Sequence, residues 1–334
     1  MSYYIGIDGG GTKTDFILCN EAGKILAGRR YGSASHKQIG VRGVVELLRG
    51  GIRGLLEEAG IADAVKTSGD APFYGCFGMP MYGEFPEYDR QIEADIKREL
   101  AFYHIRVVND AQAGWAGSLG MQPGINVVAG TGSIGFGVNE EGKTAKAGGW
   151  SEFFSDEGSC NWIGRRTVEY FAKEADERLP KGALYYLVRA HLQLTRDMEI
   201  IEKIEEEYAP SRDKMASLQL ILKEAALAGD VAASYLYEEA AEELSLIVGG
   251  VYRQLFDERT CLVSCSGGLF LAGDCILVPF QKKLAEYPVT LIPPRLDPAR
   301  GALLLASSFG DGKLTAEILE KTENRIKSEV KICI

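Results

Sequence analysis

The feature that most constrains the fold is a glycine-rich stretch near the N-terminus, residues 3–18, which reads YYIGIDGGGTKTDFIL. Two short apolar runs, Tyr3–Ile7 and Phe16–Leu18, flank the polar block Asp8–Thr14, a pattern that predicts strand, turn and strand. Three consecutive glycines let the backbone approach a ligand and point several N–H groups into one concavity, which suits phosphate oxygens. A plain solvated hairpin turn is the alternative, although such a turn needs only one or two glycines.

The polar residues of this block fit a nucleotide site. Asp8, at the end of the first predicted strand, is suited to hold a hydrated magnesium ion, and Lys13 is suited to meet an outer phosphate. The block is not a Walker A loop, because Thr12 rather than glycine precedes Lys13. The predicted phosphate-binding residues are Gly10, Gly11, Thr12, Lys13 and Thr14.

A second glycine turn lies at Gly130–Ser133 and belongs to a G-x-G-x-x-G pattern that ends at Gly135. A dinucleotide-binding fold would need a helix after this pattern. The next residues, Ile134–Val138, alternate as a strand does, so that fold is excluded. A strand over Asn126–Ala129 precedes the turn, and a β-β-β start with a glycine turn therefore occurs twice, which predicts an internal duplication.

The rest of the chain reads as alternating strands and helices, with a long helical stretch from Asn161 to about Phe256. The first 110 residues predict β-β-β-α-β-α-β-α, a mixed sheet with helices on its faces. After the third strand, the expected elements are a helix over Val41–Ala59, a strand over 73–77, a helix over 88–101 and a strand over 105–108.

Composition excludes several classes of function. The 334 residues suffice for two domains, and 46% hydrophobic and 25% charged residues are ordinary for a globular protein. A net charge of −10 argues against a nucleic-acid or anionic membrane surface. The first residues lack a signal-peptide pattern, and no run reaches the ~18 apolar residues of a membrane helix. We therefore expect a cytoplasmic protein.

The cysteines and histidines do not predict a metal site. Seven cysteines and three histidines are scattered along the chain without a C-x-x-C or Cys/His cluster, so we expect reduced, mostly buried thiols. The cysteines are Cys19, Cys76, Cys160, Cys261, Cys265, Cys275 and Cys333.

Six motifs, in order and spacing from residue 3 to about 308, resemble the actin-like ATPase superfamily, which includes sugar kinases and heat-shock chaperones. Within it, the chain resembles the N-acetylglucosamine kinase and BadF/BadG/BcrA/BcrD ATPase family. The motifs are Asp8–Thr14, Asn109–Ala111, Gly130–Ser133, Gly148–Trp150, Asp156–Ser159 with Trp162–Gly164, and Ser266–Gly268.

The resemblance implies an α/β fold of two ribonuclease-H-like lobes, each a mixed β-sheet flanked by helices, with the nucleotide in the cleft between them. The expected N-terminal lobe is 1–112 plus a C-terminal helix within 312–334, and the expected C-terminal lobe is 113–311 with a helical insertion. In such folds Gly130, Thr131, Gly132 and Ser133 grip phosphates. Gly267 and Gly268 would face the adenosine, although an ordinary strand-to-helix turn explains these two glycines equally well.

The resemblance also implies an ATP- and Mg²⁺-dependent sugar kinase in which Asp110 is the general base. Phosphoryl transfer needs positioning, charge neutralisation and one carboxylate that accepts the proton of the attacking hydroxyl. Asp110 follows an apolar strand, at the carboxyl end where ligands bind in open α/β sheets. Helix capping is the alternative role, and both roles hold if the cap is shared or lies with Asn109.

The resemblance implies an acceptor site at Asp156, which matches the family aspartate that hydrogen-bonds sugar hydroxyls, with Gly149 and Trp150 lining the same region. A carboxylate and an aromatic face also suit polyols. A polar helix entry capped by Ser159 is the alternative interpretation of the Asp156 segment.

Eukaryotic N-acetylglucosamine kinases carry sugar-binding asparagines where this chain has Ser35 and Ile134. The acceptor therefore stays open among N-acetylglucosamine, glucosamine, N-acetylmuramic acid and another hexose. Ser35 and His36 are the selectivity candidates, and a surface loop is the simpler account of both.

Two other classes of function remain open. A redox ATPase that activates 2-hydroxyacyl-CoA dehydratases would share the ATP motifs but hold an iron–sulfur cluster between two subunits. A nucleotide-dependent sensor would hydrolyse ATP slowly and ignore sugars. The expected partner is a small sugar or amino sugar, with no nucleic acid and no membrane, and a homodimer is compatible with the sequence.

Overall fold

The computed structural model describes residues 2–62 and 72–322, which form two compact units. Unit 1 contains residues 2–62, 72–122 and 294–322, and unit 2 contains residues 123–293. The unit boundaries thus fall after residues 122 and 293, rather than after the expected residues 112 and 311.

Unit 1 is built on a five-stranded mixed sheet whose strand order is β3-β2-β1-β4-β5. Strands β1 to β3 pair antiparallel, whereas β4 and β5 continue the sheet in parallel with β1. The apolar runs found in the sequence form the buried parts of these strands. The strands are β1 (Tyr3–Gly9), β2 (Thr14–Asn20), β3 (Ile25–Tyr31), β4 (Phe73–Met79) and β5 (Ile105–Asn109).

In the described part of unit 1, strands β3, β4 and β5 are followed by the helices α1 (His36–Glu58), α2 (Pro86–Glu99) and α3 (Asp110–Leu119). Helix α1 begins before the predicted Val41 but contains a kink at Gly40, where φ is 69°. A regular helix cannot contain this left-handed conformation, so the predicted helix corresponds to the part after the kink. The buried residues of α1 include Val44, Leu48, Ile52 and Leu55, which follow helical spacing.

Unit 2 repeats the sheet topology of unit 1, with strand order β10-β9-β6-β7-β8. The central strand β6 pairs antiparallel with β7 and parallel with β9, as β1 pairs with β2 and β4. This shared topology agrees with the predicted duplication. The strands are β6 (Gly124–Ala129), β7 (Ser133–Val138), β8 (Thr144–Gly148), β9 (Cys261–Ser266) and β10 (Val289–Ile292).

The helical stretch predicted between β8 and β9 packs on the unit 2 sheet. Helix α9 (Val231–Leu255) fully buries Leu236, Ala240 and Leu244, which follow helical spacing and form part of the core. The helices of unit 2 are α4 (Cys160–Ala175), α5 (Ala183–Leu192), α6 (Ile200–Lys203), α7 (Arg212–Ser217), α8 (Gln219–Leu227), α9 (Val231–Leu255) and α10 (Asp274–Leu284).

The chain then returns to unit 1 as α11 (Pro298–Phe309) and α12 (Ala316–Glu320). The C-terminal helix is expected within residues 312–334. The part of that range after residue 322, including Cys333, lies outside the described residues. Within residues 2–62 and 72–322, every helix is too short or too polar to cross a bilayer.

Helix α11 packs directly on the backbone of α3, and this contact explains why both helices belong to unit 1. A Cβ atom added at Gly301 would lie 2.1 Å from the carbonyl oxygen of Ala113 and 2.4 Å from the amide nitrogen of Gly117. Backbone atoms cannot yield as a flexible side chain would. Glycine at position 301 therefore permits the close approach.

We expect Gly301→Ala to destabilise the protein by about 1–3 kcal/mol, the usual cost of overpacking, as measured by urea unfolding. The matched control is Gly32→Ala, because a Cβ atom there meets nothing within 4 Å. The control should stay within about 0.5 kcal/mol of the natural protein. Equal effects of the two substitutions would contradict the packing argument.

Candidate active site

In unit 1, the predicted catalytic carboxylate lies at the carboxyl ends of the parallel strands. Asn109 ends β5, and its Oδ1 accepts a hydrogen bond from the Ala111 amide at 3.0 Å. Its Nδ2 donates to the Tyr82 carbonyl at 2.8 Å. The helix cap is therefore Asn109, and Asp110 becomes the first residue of α3. Oδ1 of Asp110 accepts from the same Ala111 amide at 3.0 Å, so the two side chains share this donor, and the catalytic role of Asp110 stays a prediction.

Asp8 lies near the same edge, in a strongly negative environment. Burial is the largest cause that raises the pKa of Asp8, to about 7. The carboxylates of Asp110, Asp15 and Asp297 raise this pKa further, whereas the ammonium group of Lys13 lowers it. These carboxylates act on Asp8 through their charge, and within the described residues no three His, Cys, Asp or Glu side chains are grouped closely enough to hold a metal ion directly. A magnesium ion held by Asp8 through water stays a prediction.

The glycine hairpin between β1 and β2 is a tight turn whose tip faces solvent. The Gly10 amide donates to the Lys13 carbonyl at 2.9 Å, and Gly11, Thr12 and Lys13 are exposed. Thr14 differs, because its buried hydroxyl donates to the Gly32 carbonyl at 2.7 Å. The side chain of Thr14 is thus engaged in the hairpin itself, which leaves residues 10–13 as the candidates for phosphate contacts.

Ser35 and His36 are buried, at 5% and 6% exposure, so the surface-loop account of these two residues is wrong. Their loop is joined to the hairpin, because the Ala34 amide donates to the Gly10 carbonyl at 3.0 Å. The fold therefore brings two predicted acceptor residues beside the predicted phosphate turn, within unit 1.

The His36 imidazole is enclosed by aromatic rings. Its centroid lies 5.5 Å from that of Phe85 and 5.0 Å from that of Tyr88. Among the described residues, neither ring nitrogen has a hydrogen-bond partner. Burial, with a smaller contribution from Lys37, lowers the pKa of His36, so the ring is neutral at pH 7. A buried imidazole with both nitrogens unpaired is suited to contact a polar ligand.

In unit 2, the second glycine turn is fixed to the start of α4. The Gly130 amide donates to the Gly132 carbonyl at 2.9 Å, and the Gly130 carbonyl accepts from the Cys160 amide at 2.8 Å. The Ser133 hydroxyl donates to the Glu157 carbonyl at 2.6 Å. The turn is therefore held rigidly at the end of β6.

Gly267 and Gly268 lie beside this turn. Gly267 has a φ of 105°, and a Cβ atom there would lie 2.4 Å from the Ala129 carbonyl oxygen. Gly268 begins a 3₁₀ turn, Gly268–Ala272, whereas α10 starts only at Asp274. The expected strand-to-helix turn is thus a 3₁₀ turn that precedes α10, and a contact of these glycines with adenosine stays a prediction.

Asp156 is buried, at 5% exposure, and adopts a left-handed conformation with a φ of 63°. Its Oδ1 accepts from the Ser133 amide at 3.3 Å, and its Oδ2 accepts from Nη2 of Arg212 at 2.5 Å. Burial raises the pKa of Asp156, and Arg212 is the largest opposing influence. Ser159 caps α4 by accepting from the Trp162 amide at 3.1 Å, so the predicted helix entry is present beside the carboxylate.

The other predicted acceptor residues of unit 2 are placed differently. Gly149 has a φ of 69°, and a Cβ atom there would lie 3.0 Å from the Ile134 side chain. Gly149 thus packs against Ile134, the residue that stands where eukaryotic N-acetylglucosamine kinases carry a sugar-binding asparagine. Trp150 is 80% exposed, so stacking of its ring on a sugar stays a prediction.

Two groups that act on these carboxylates were missed from the sequence. Asp297 caps α11 by accepting from the Arg300 amide at 2.9 Å, and an Asp-Pro pair is a recognisable helix start. The Asp-Pro pair predicts the helix cap, but it does not predict that Asp297 lies near Asp8. Arg212 lies 56 residues from Asp156 in the chain, and no local pattern relates the two.

Comparisons with known proteins agree on one family and one fold. The BadF/BadG/BcrA/BcrD ATPase family profile matches residues 5–306. An N-acetylmuramic acid/N-acetylglucosamine kinase from Clostridium acetobutylicum is 31% identical, covering 93% of this chain and 100% of the relative. An N-acetyl-D-glucosamine kinase from Dictyostelium discoideum is 27% identical, covering 91% and 97%.

A solved structure gives the same result. A Chromobacterium violaceum protein provisionally named N-acetylglucosamine kinase superposes with a TM-score of 0.71 at 27% identity, covering 91% of this chain and 98% of that one. The resemblance drawn from the six motifs and the predicted two-sheet α/β fold are therefore confirmed.

The Asn109 cap generates a testable prediction. Asn109→Ala should lower the free energy of unfolding by about 1 kcal/mol, the usual cost of a lost cap, in urea denaturation. Asn109→Ser keeps a capping oxygen but loses the donor to the Tyr82 carbonyl, so it should fall between the natural protein and the alanine variant. A serine variant as unstable as the alanine variant would show that the Tyr82 contact, and not the cap, stabilises this edge.

Proposed function

The chain belongs to the BadF/BadG/BcrA/BcrD ATPase family, and on that premise we propose that it is an ATP-dependent kinase for an amino sugar or related hexose. The reaction would move the γ-phosphoryl group of Mg-ATP to a sugar hydroxyl. The relatives from Clostridium and Dictyostelium are kinases of N-acetylated amino sugars, which supports this acceptor class. N-acetylglucosamine and N-acetylmuramic acid are the first acceptors to test.

The observation that carries the proposal is the position of Asp110 directly after β5. The Asn109 side chain caps α3, and Oδ1 of Asp110 accepts from the same Ala111 amide at 3.0 Å, so that amide engages one oxygen of each residue. The Asp110 carboxylate stands at the carboxyl edge of the parallel strands, where open α/β sheets bind ligands. We assign Asp110 as the general base that takes the proton from the attacking sugar hydroxyl.

The proposed transfer takes place in a single displacement step, in which one bond to the γ-phosphorus forms and one breaks. The sugar oxygen forms a bond to the γ-phosphorus as its proton moves to Asp110, and the bond between the γ-phosphorus and the bridging oxygen to the β-phosphate breaks. The products are a sugar phosphate and ADP. The enzyme itself is not modified, so its main tasks are to position the reactants and to neutralise charge.

Each unit contributes elements suited to the nucleotide. In unit 1 we assign Gly10, Gly11, Thr12 and Lys13 to phosphate contacts, and Asp8 to magnesium through water. The ion would neutralise charge that develops on the phosphate oxygens. In unit 2 we assign Gly130, Thr131, Gly132 and Ser133 to phosphate contacts, and Gly267 and Gly268 to the adenosine.

The acceptor residues also come from both units. Asp156 is a buried carboxylate with two accepting oxygens, the geometry that suits neighbouring sugar hydroxyls. Ser35 and His36 are buried beside aromatic rings, and this environment suits the N-acetyl group or ring of an amino sugar. We retain Gly149 and Trp150 as acceptor residues on the family resemblance alone.

A redox activator of a dehydratase is the second candidate, since family membership allows it. Such a protein must present cysteine thiolates to a cluster shared by two subunits. Here burial raises the pKa of Cys160 and Cys261 to about 12, and that of Cys265 to about 11, so these thiols are poor ligands at neutral pH. A colourless purified protein would count against the activator.

The direct test of the kinase proposal is ADP release from Mg-ATP in the presence of free sugars, amino sugars and N-acetylated amino sugars. We expect one acceptor class to accelerate ADP release strongly and to yield a stoichiometric sugar phosphate, detected by mass spectrometry. A slow ATPase rate that no sugar changes would instead identify a nucleotide-dependent sensor.

Asp110→Asn should reduce sugar-dependent turnover by about 100- to 10,000-fold, the usual contribution of a general base, because the amide cannot accept the proton. Nucleotide affinity, measured by calorimetry, should change little. The matched control is Asp176→Asn, which alters an exposed carboxylate paired with Arg178 and should leave turnover intact. Undiminished turnover in Asp110→Asn would refute the assignment.

A further inference from the structure

Arg212 joins two carboxylates at the predicted acceptor site of unit 2. Its Nη2 lies 2.5 Å from Oδ2 of Asp156, and its Nε lies 2.5 Å from Oε2 of Glu152. The guanidinium is thus placed between a buried carboxylate and the loop that follows β8. Because Arg212 is the first residue of α7, the position of this short helix decides where the charge lies.

The backbone around Arg212 is fixed by two contacts with α4. The Asn161 side chain donates to the Arg212 carbonyl at 3.2 Å. A Cβ atom added at Gly164 would lie 2.1 Å from the Met215 carbonyl oxygen, so only glycine allows α7 to approach α4 this closely. The same α4 begins next to Asp156, and the guanidinium and the carboxylate are therefore held on one framework.

Asp156 needs a compensating charge, because its carboxyl group is buried among other acids. Burial, Glu152 and Glu157 all raise its pKa, whereas Arg212 and the Ser133 amide lower it. Asp213, the next residue of α7, accepts instead from the Thr131 hydroxyl at 3.0 Å. Among the described residues, Arg212 is the cation that forms an ion pair with Asp156.

We propose that Arg212 is a positioning residue for the sugar acceptor, which keeps Asp156 ionised and orients its carboxylate toward the acceptor hydroxyls. The inference rests on the proposed kinase function and on the acceptor role of Asp156. Without the guanidinium, the buried carboxyl group takes up a proton more readily. A protonated carboxyl group loses part of its capacity to accept hydrogen bonds from sugar hydroxyls.

A purely structural role would give a different result. Arg212 has 46% of its side chain exposed, whereas Asp156 has 7%. Without the arginine the buried carboxyl group can take up a proton instead of staying charged, which limits the loss of stability. Loss of Arg212 should therefore weaken acceptor binding far more than it lowers the melting temperature. The effect should also depend on pH, because only the protonated fraction of Asp156 is impaired.

The test is steady-state kinetics of Arg212→Gln with the best acceptor, from about pH 5 to 9. We expect KM for the acceptor to rise about tenfold or more, the size expected when hydrogen bonds to a charged group are lost. KM for ATP and kcat at saturating acceptor should change by less than about threefold if binding alone is affected. The acid limb of kcat/KM should move to higher pH, since removal of the cation raises the pKa of Asp156.

Two further variants complete the experiment. Arg212→Lys keeps the positive charge but not the planar fork, so it should restore the acid limb while recovering only part of the acceptor affinity. Arg178→Gln removes an exposed arginine paired with Asp176 and should behave as the natural protein. Both variants should retain the natural melting temperature within a few degrees.

The outcomes separate this inference from the kinase proposal. If the natural protein phosphorylates a sugar and Arg212→Gln keeps the same acceptor KM and acid limb, the inference is overturned and the kinase proposal stands. If no sugar stimulates the natural protein, both are overturned, because the acceptor role of Asp156 fails with the function.

Discussion

The parallel pairing of β1, β4 and β5 is the constraint on which the chemistry of unit 1 depends. The register aligns Asp8 with Gly78 and Met79 with Asn109, so the residues at the ends of three strands meet at one edge. A slip of one residue in any strand would turn its side chains to the opposite face. The buried apolar faces of the strands fix that register, and the carboxylates at the edge follow from it.

That edge concentrates carboxylates, of which Asp15 is paired with Arg30 and Asp297 with Arg300. Asp8 is buried near Asp110, Asp15 and Asp297, and of these influences on its pKa only Lys13 is favourable to the ionised form. Such a field stabilises a cation and an attached polyphosphate more readily than a free anion. The family membership implies the use of ATP, and a metal ion on that nucleotide stays part of the proposal.

The buried carboxylate of unit 2 has the opposite environment. Asp156 is paired with Arg212 and accepts from the Ser133 amide, so its charge is compensated inside the protein. A compensated carboxylate suits neutral hydroxyl groups better than it suits a metal ion. The two units share one sheet topology, yet Asp8 lies at the end of a strand whereas Asp156 lies in the segment between β8 and α4, and the two carboxylates have different environments.

The sequence by itself determined the repeated β-β-β plan, the two glycine turns and the pairing of Asn109 with Asp110, because turns, caps and strand alternation are local properties. It also indicated the family, since six short motifs keep their order over most of the chain. Only the tertiary structure decided that His36 is buried, that Asp297 lies near Asp8 and that Arg212 pairs with Asp156. These contacts join residues far apart in the chain, and they are set by the packing of helices on sheets, which no local pattern encodes.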